Sequence, residues 1–313
     1  MGGCADRVVE KGGMALKKVL IQGAMDIEAD YFIKQVSEAP DYKVVEEDGF
    51  VFHCGTFANK YYIVNQTGMG TVKAAMATTY GIMRFHPTVV INQGTAGAQN
   101  KELHSGDLIQ VVKAVNINAL SMPKKEAGEG SDPFSWEGFH TAYYESDEAL
   151  LELCSKVEYT YGRIVKGNVS TGDIFSRETD RIVWLSEYFH TCCEDMETAA
   201  VFEVCEKMGT PCVGLRIISN NEIKGEEFNP IQPVIFRNIY GKWYTTGCKL
   251  NTSHRMYPPC IQCVMQGGIL IETDRQSFYY VSFNGSVYGW YVLVSLVQKQ
   301  RDGGRKDLSK CLY

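Results

Sequence analysis

The sequence predicts an α/β fold: a mixed central sheet flanked by helices, in a single main domain with a divergent C-terminal tail. Three observations predict it. Short apolar runs alternate with stretches of helical periodicity from Lys17 to about Asn229, the pattern of strands and helices packed in layers. Several of those runs end in glycine or polar residues, where an α/β sheet builds a ligand site. After Asn229 the helical periodicity disappears and Tyr, Cys, Gly and Pro accumulate.

The elements follow in order. Residues 17–22 (KKVLIQ) form a strand ending in Gly23-Ala24-Met25. A helix is expected over 26–38, with Ile27, Tyr31 and Ile33 on its apolar side and Pro40-Asp41 closing it. Residues 50–54 and 61–65 read as strands joined around Ala58-Asn59-Lys60. An Ala-rich helix begins after Thr67-Gly68-Met69-Gly70 and runs to about Phe85. Residues 88–92 are a strand expected to end in a glycine loop, Gln93-Gly94-Thr95-Ala96-Gly97, where the backbone can approach a ligand closely. Residues 107–115 are a further strand. Residues 116–138 are polar and carry Gly and Pro, a loop long enough to serve as a lid. A helix over 147–157, a strand over 163–170 ending in Thr171-Gly172-Asp173, and a helix over 178–189 continue the alternation.

The stretch 194–222 is the densest. Residues 197–207 read as a helix with Val201, Val204, Cys205 and Met208 in helical spacing. Gly209 stops it and Pro211 follows. Residues 213–218 form a buried strand ending in Ser219, Asn220, Asn221 and Glu222. Asp195 and Glu197 in a first turn suit the helix dipole without any function. Ser-Asn-Asn after a strand is ordinary turn chemistry.

With 313 residues, 45% hydrophobic, the chain holds one main domain over 15–229, an N-terminal extension over 1–14 and an unmatched segment over 230–313. That segment reads as short strands over 268–274, 277–283 and 286–294, with Asn284-Gly285 as a hairpin turn. A net charge of −6 argues against a nucleic-acid partner. No apolar run reaches the roughly 18 residues of a membrane span. The opening residues lack a hydrophobic leader, and Asp6 does not suit myristoylation. The 11 scattered cysteines then read as reduced thiols in a cytoplasmic protein. Cys248, His254, Cys260 and Cys263 match no standard zinc spacing, and no metal is expected.

Gly23 with Glu28 nearby, Thr95, Asp173 with Phe175, Glu197 and Asn220 gather at the ends of different strands. Their types suit cleavage of a nucleoside. One carboxylate can activate water and another can clamp ribose hydroxyls. A phenyl ring can stack on a base, and a polar group can contact the leaving base. Glycosidic cleavage passes through an oxocarbenium-like state, helped by water on one face and a proton for the leaving group.

Four motifs carry a resemblance over about residues 17–229: IQGAMDIEADYF from Ile21, VINQGTAGA from Val90, STGDIF from Ser170 and EDMETAAVFEVC from Glu194. On them the chain resembles the methylthioadenosine/S-adenosylhomocysteine nucleosidases of the nucleoside phosphorylase superfamily. The resemblance implies a nucleoside phosphorylase-like fold. It implies Glu28 as the acid that activates water, Thr95 near the ribose and the water, and Phe175 stacked on the purine. Ser176 then bonds the base through its backbone, and Met196 and Glu197 hold the ribose hydroxyls. Phe175 keeps a plain alternative as a core side chain. The resemblance further implies a small-molecule nucleoside substrate, no metal or organic cofactor, and a homodimer. The loop over 116–138, with Phe134 or Trp136, then closes the partner's pocket.

Phosphorylases of this superfamily hold phosphate with arginines in the first glycine turn and before the second glycine loop. Here GAMDIE carries no arginine and Asn92 stands before the loop, so water is the expected nucleophile. Arg177 and Arg216 stand elsewhere. The nucleosidases carry Ser-Asp at the last strand's end, the aspartate serving as general acid. This chain carries Ser219-Asn220, and an amide donates a hydrogen bond but yields no proton. Other branches, and the futalosine-type nucleosidases, resemble it in this respect, with 6-oxopurines. Asn221 or Glu222 could replace the acid. Three functions follow: a purine nucleosidase, a phosphorylase, or a nucleoside-binding relative without turnover.

Overall fold

A computed structural model describes residues 17–228, apart from 58, 140, 157 and 158, and the backbone of three segments, 268–273, 277–286 and 289–298. The expected N-terminal extension and Cys248, His254, Cys260 and Cys263 lie outside the described residues.

In chain order the main unit contains β1 (Lys17–Gly23), α1 (Asp26–Ser37), β2 (Lys43–Glu47), β3 (Phe50–Phe57), β4 (Lys60–Gln66), α2 (Thr71–Phe85), β5 (Val89–Ala98) and β6 (Leu108–Asn116). Then come β7 (Leu120–Ser121), β8 (Glu137–Gly138), β9 (Tyr143–Glu145), α3 (Glu148–Ser155), β10 (Ile164–Thr171), α4 (Thr179–Phe189), β11 (Cys193–Asp195), α5 (Thr198–Met208) and β12 (Cys212–Asn220). Ten strands form one mixed sheet in the order β11-β10-β6-β12-β5-β1-β4-β3-β2, with β9 paired to β6. β11 also pairs antiparallel with β5. The sheet therefore closes on itself through β5, β12, β6, β10 and β11.

Alternation along the strands splits the core between the two faces. On β1, Leu20 packs with Phe52, Ile82 of α2 and Phe202 of α5. Its neighbours Val19 and Ile21 pack with Phe32 of α1 and Leu151 of α3. A smaller cluster of Val115, Ile117, Leu185 and Phe189 seats α4. Among the described residues no helix is long and apolar enough to cross a membrane.

Four expectations are corrected. The buried face of α1 is Glu28, Ala29, Phe32 and Val36, while Ile27, Tyr31 and Ile33 are half-buried; the helix is phased by Glu28, whose carboxylate reaches back to the Met25 amide. β5 does not end at Asn92. It runs through Gln93-Gly94-Thr95-Ala96-Gly97 as a paired strand, because Gly97 is hydrogen-bonded in register with β12 and β11. Asp195 is in β11 and Glu197 caps α5, so neither belongs to a first helical turn. β2 and β11 were missed. One is a charged edge strand and the other has three residues, too few for a periodic signal.

The second compact unit spans residues 252–313. In it β13 (Gly268–Thr273), β14 (Ser277–Ser286) and β15 (Gly289–Gln298) form an antiparallel sheet. Asn284 and Gly285 pair with Tyr291 and Trp290 inside the ladder. They are strand residues there, not the turn their dipeptide suggested.

Candidate active site

A cavity of about 350 Å³ opens where β1, β5 and β12 end beside β11. Of the sequence-predicted residues it brings together Glu28, Thr95, Phe175, Ser176, Met196, Glu197, Ser219 and Asn220. Asp173 does not line it. Its carboxylate accepts from the Thr71 amide and hydroxyl, both at 2.7 Å, and so caps α2. Gly70, at φ 107°, lets the chain enter that cap; a Cβ there would meet Asp173 Oδ1 at 3.1 Å.

Glu28 is buried at the start of α1. Its Oε2 accepts from the amides of Ala24 at 2.8 Å and Met25 at 3.1 Å. Its Oε1 accepts from the Thr95 amide at 2.8 Å and the Thr95 hydroxyl at 3.1 Å. Gly94 allows this approach, since a Cβ there would stand 3.0 Å from Oε1. Burial pushes the Glu28 carboxyl above its ordinary value, against the opposing charge of Arg216. A carboxylate with raised proton affinity is suited to taking a proton from water.

Glu197 faces the same cavity and accepts from the Gly70 amide at 3.0 Å. Burial, then the charge of nearby Asp195, pushes its carboxyl up to about 7. Arg216, fully buried in β12, is close enough to both acids for its charge to act on them. Its Nε donates to Asp195 Oδ2 at 2.6 Å, and its Nη1 donates to the Leu215 carbonyl at 2.9 Å. Asn92 accepts from both Nη atoms through its carbonyl and Oδ1. Thr171 Oγ1 donates to Asp195 Oδ1 at 2.5 Å. Sequence reasoning found no role for Arg216. The signal was an arginine inside an apolar strand, which demands a buried partner.

A bulge between Ile218 and Asn220 turns the end of β12 toward the cavity. Ser219 Oγ donates to Asn220 Oδ1 at 2.8 Å, and Asn220 Nδ2 donates to Glu222 Oε1 at 3.3 Å. Arg177 pairs with Glu222 Oε2 at 3.4 Å. Phe175 is 55% exposed, so it is not a core residue. The Ser176 amide is turned toward Glu194 Oε1 at 3.3 Å. Glu194, Met25, Met69 and Phe228 also line the cavity and were not among the expected site residues; of the two candidates for a replacement acid, Glu222 lines it, while Asn221 does not and donates instead to the Asn100 and Leu103 carbonyls. Among the described residues no lysine or arginine lines it.

The profile of the phosphorylase superfamily matches residues 18–237. The 5′-methylthioadenosine/S-adenosylhomocysteine nucleosidase of Bacillus pumilus is 32% identical over 215 residues, which cover 68% of this chain and 88% of the relative. A futalosine hydrolase mutant of Helicobacter pylori is similar in structure, with a TM-score of 0.62 and 26% identity over 74% of this chain and 100% of that one. An aspartate-to-asparagine mutant of the Helicobacter pylori MTAN, solved with 5′-methylthioadenosine in the active site, gives a TM-score of 0.56 and 25% identity over 74% of this chain and 95% of that one. The chain belongs to the phosphorylase superfamily. Within it, the chain is an enzyme of the nucleosidase type, an N-glycosyl hydrolase.

Proposed function

We propose that this chain hydrolyses the N-glycosidic bond of a purine nucleoside and releases the free base. The names of its relatives make 5′-methylthioadenosine and S-adenosylhomocysteine the first compounds to assay, with futalosine beside them. One observation carries the reading: Glu28 and Glu197, two of the four buried carboxylates among the lining residues, face one cavity that no cationic side chain lines among the described residues. Such a cavity suits water better than phosphate as the nucleophile.

In this reading Glu28, with the Thr95 hydroxyl, holds a water against C1′ of the ribose. As the C1′–N9 bond breaks, its electron pair passes to the base and the water oxygen bonds C1′. Glu28 takes the water proton. Asn220 donates a hydrogen bond to the base, which takes its proton from solvent. Glu197 accepts from the 2′ and 3′ hydroxyls beside Met196, and Phe175 stacks on the purine. The products are the base and a ribose carrying a hydroxyl at C1′.

The test follows base release by chromatography, with and without phosphate. Phosphate-independent release, lost in Glu28→Gln, is the expected result; release only with phosphate points to a phosphorylase. Asn220 favours one further reading, binding without turnover, which predicts bound nucleoside and no free base. We also infer a homodimer. Val72, Met76 and Met83 form a stripe along α2, with Met69 just before the helix, each more than half exposed. Sedimentation giving one-chain mass at micromolar concentration would remove this inference. Buried free thiols at Cys54, Cys154, Cys193, Cys205 and Cys212 suit a reducing compartment such as the cytoplasm.

A further inference from the structure

One stretch of the cavity wall belongs to no strand or helix: residues 174–178, between the end of β10 and the start of α4. Ile174, Phe175 and Ser176 in this stretch line the cavity, and so does Ile182 of α4. No backbone ladder fixes the stretch, so its position is set by the groups that hold its two ends. At one end stands Asp173. At the other is the first turn of α4, whose buried residues are Ile182, Leu185 and Phe189. Arg181, Trp184 and Tyr188, three and four residues apart, share a second face of that helix.

The loop over 116–138 grips the stretch at both ends. Its neck is closed by β7 and β8, with Leu120 opposite Gly138 and Ser121 opposite Glu137. On the outgoing limb Asn118 Oδ1 accepts from the Asp173 amide at 3.1 Å. The returning limb meets Arg181. Its Nη1 donates to the Pro133 carbonyl at 2.9 Å. Its guanidinium carbon stands 5.7 Å from the centre of the Trp136 ring and 4.3 Å from that of Trp184. A cation over two aromatic faces is attracted by both. Trp184 stacks in turn on Tyr188, with 5.0 Å between ring centres, and the Tyr188 hydroxyl accepts from the Gly138 amide at 3.0 Å. Residues 122–132 at the loop tip are exposed and lie outside these contacts.

We propose that the neck of this loop is a strap that positions Phe175 and Ser176 from within the same chain, with Arg181 as its positioning residue. The loop was expected to reach a partner's pocket through Phe134 or Trp136; Trp136 rests instead on Arg181 of its own chain. Arg181 does not line the cavity and acts through the wall it holds. Fixing Asp173 and Arg181 to the loop neck restricts the chain between them, so that Phe175, itself 55% exposed, is ordered before a ligand arrives. A ligand meeting an ordered wall does not bear the entropy of ordering it. The strap rests on the nucleosidase reading only for the choice of ligand.

The experiment has two arms, both on the full chain. The first follows hydrogen exchange without ligand at the Asp173 and Ser176 amides, both of which are bonded in the structure. Exchange is expected to quicken about fivefold or more in Arg181→Met and in Trp136→Leu. The second measures nucleoside Kd by calorimetry in a Glu28→Gln background, using whichever of 5′-methylthioadenosine and 5′-methylthioinosine binds more tightly. Arg181→Met is expected to raise Kd about fivefold, and to change it by less than about twofold when Phe175→Ala is already present, because the strap acts through that ring. Unchanged exchange in a folded variant overturns the proposal. So does faster exchange with an unchanged Kd, or a rise in Kd that is equally large in the Phe175→Ala background, which would make Arg181 a structural residue only. If Arg181→Met does not fold, Trp136→Leu carries both arms. If neither nucleoside binds, the nucleosidase reading fails by itself, and the exchange rates decide the strap.

Discussion

The two ends of the cavity are built differently. At the Glu28 end the acid accepts four hydrogen bonds, two at each oxygen, and feels the charge of Arg216, which is itself paired with Asp195. At the Asn220 end a half-exposed aromatic ring, an amide with a hydrogen left over and a loosely bonded carboxylate face the ligand space. The first end is preorganised for one piece of chemistry. The second is held by fewer and longer contacts, so its residues can differ from those of relatives without disturbing the first. Reaction class and substrate identity are thus carried by separate groups of side chains.

The largest expected effect breaks the Glu28 end. Glu28→Gln keeps the size and one acceptor oxygen but turns an NH2 toward backbone N–H donors and loses the base, and kcat for base release should fall about 10²–10⁴-fold. Nucleoside affinity, measured by calorimetry on the same variant, should change little. If affinity falls with kcat, Glu28 shapes the pocket as well, and the division between the two ends fails.

The next contrast concerns stability. Arg216→Met leaves Asp195 buried without its cation, a loss of about 3–5 kcal/mol in urea unfolding. Arg177→Met removes an ion pair at the mouth whose arginine side chain is 62% exposed, and should cost under about 1 kcal/mol. Equal losses would mean that both ends are built to the same rigidity.

Asn220→Asp sharpens the comparison from the other side. A carboxyl at that position can deliver a proton to the leaving base. Adenine release from 5′-methylthioadenosine should rise by on the order of tenfold, with a smaller gain on the 6-oxo counterpart. The measurement is the ratio of the two kcat/KM values. A fall on both nucleosides would show that Asn220 is already the better group for this cavity.

Much of this arrangement was legible in the chain, for physical reasons. The helices showed because their apolar spacing and glycine stops are local. Glu28, Thr95, Glu197 and Asn220 showed because each follows an apolar strand or opens a helix, where polar groups collect. What stayed hidden is long-range. Asp173 caps a helix whose first residue lies 102 positions away, and no local pattern carries that contact. The closure of the sheet depends on a three-residue strand, β11. Without it Glu194 could not be placed beside Gly97, nor Asp195 over Arg216. The glycine loop became a strand because pairing on two sides outweighs the weak strand preference of Gly94 and Gly97.

The smallest expected effect concerns Glu197. Its carboxyl is pushed up to about 7 by burial and by Asp195. Only the ionised form accepts from two ribose hydroxyls, so affinity should be full above that value and decline as pH falls through it. For a single group titrating there, the ionised fraction falls about fourfold between pH 8 and pH 6.5. The nucleoside Kd should rise by the same factor. Glu28 titrates as well, and its effect must be separated. Binding is therefore measured on Glu28→Gln, which holds the ligand without turning it over and lacks that carboxyl. Because the Glu28 charge itself helps to raise Glu197, the midpoint in this variant should lie lower than in wild type, and its Kd should rise by less than that fourfold factor over the same pH span. A pH-independent Kd, with the pH dependence confined to kcat, would take Glu197 out of ribose binding and leave the Glu28 end to recognise the sugar by itself.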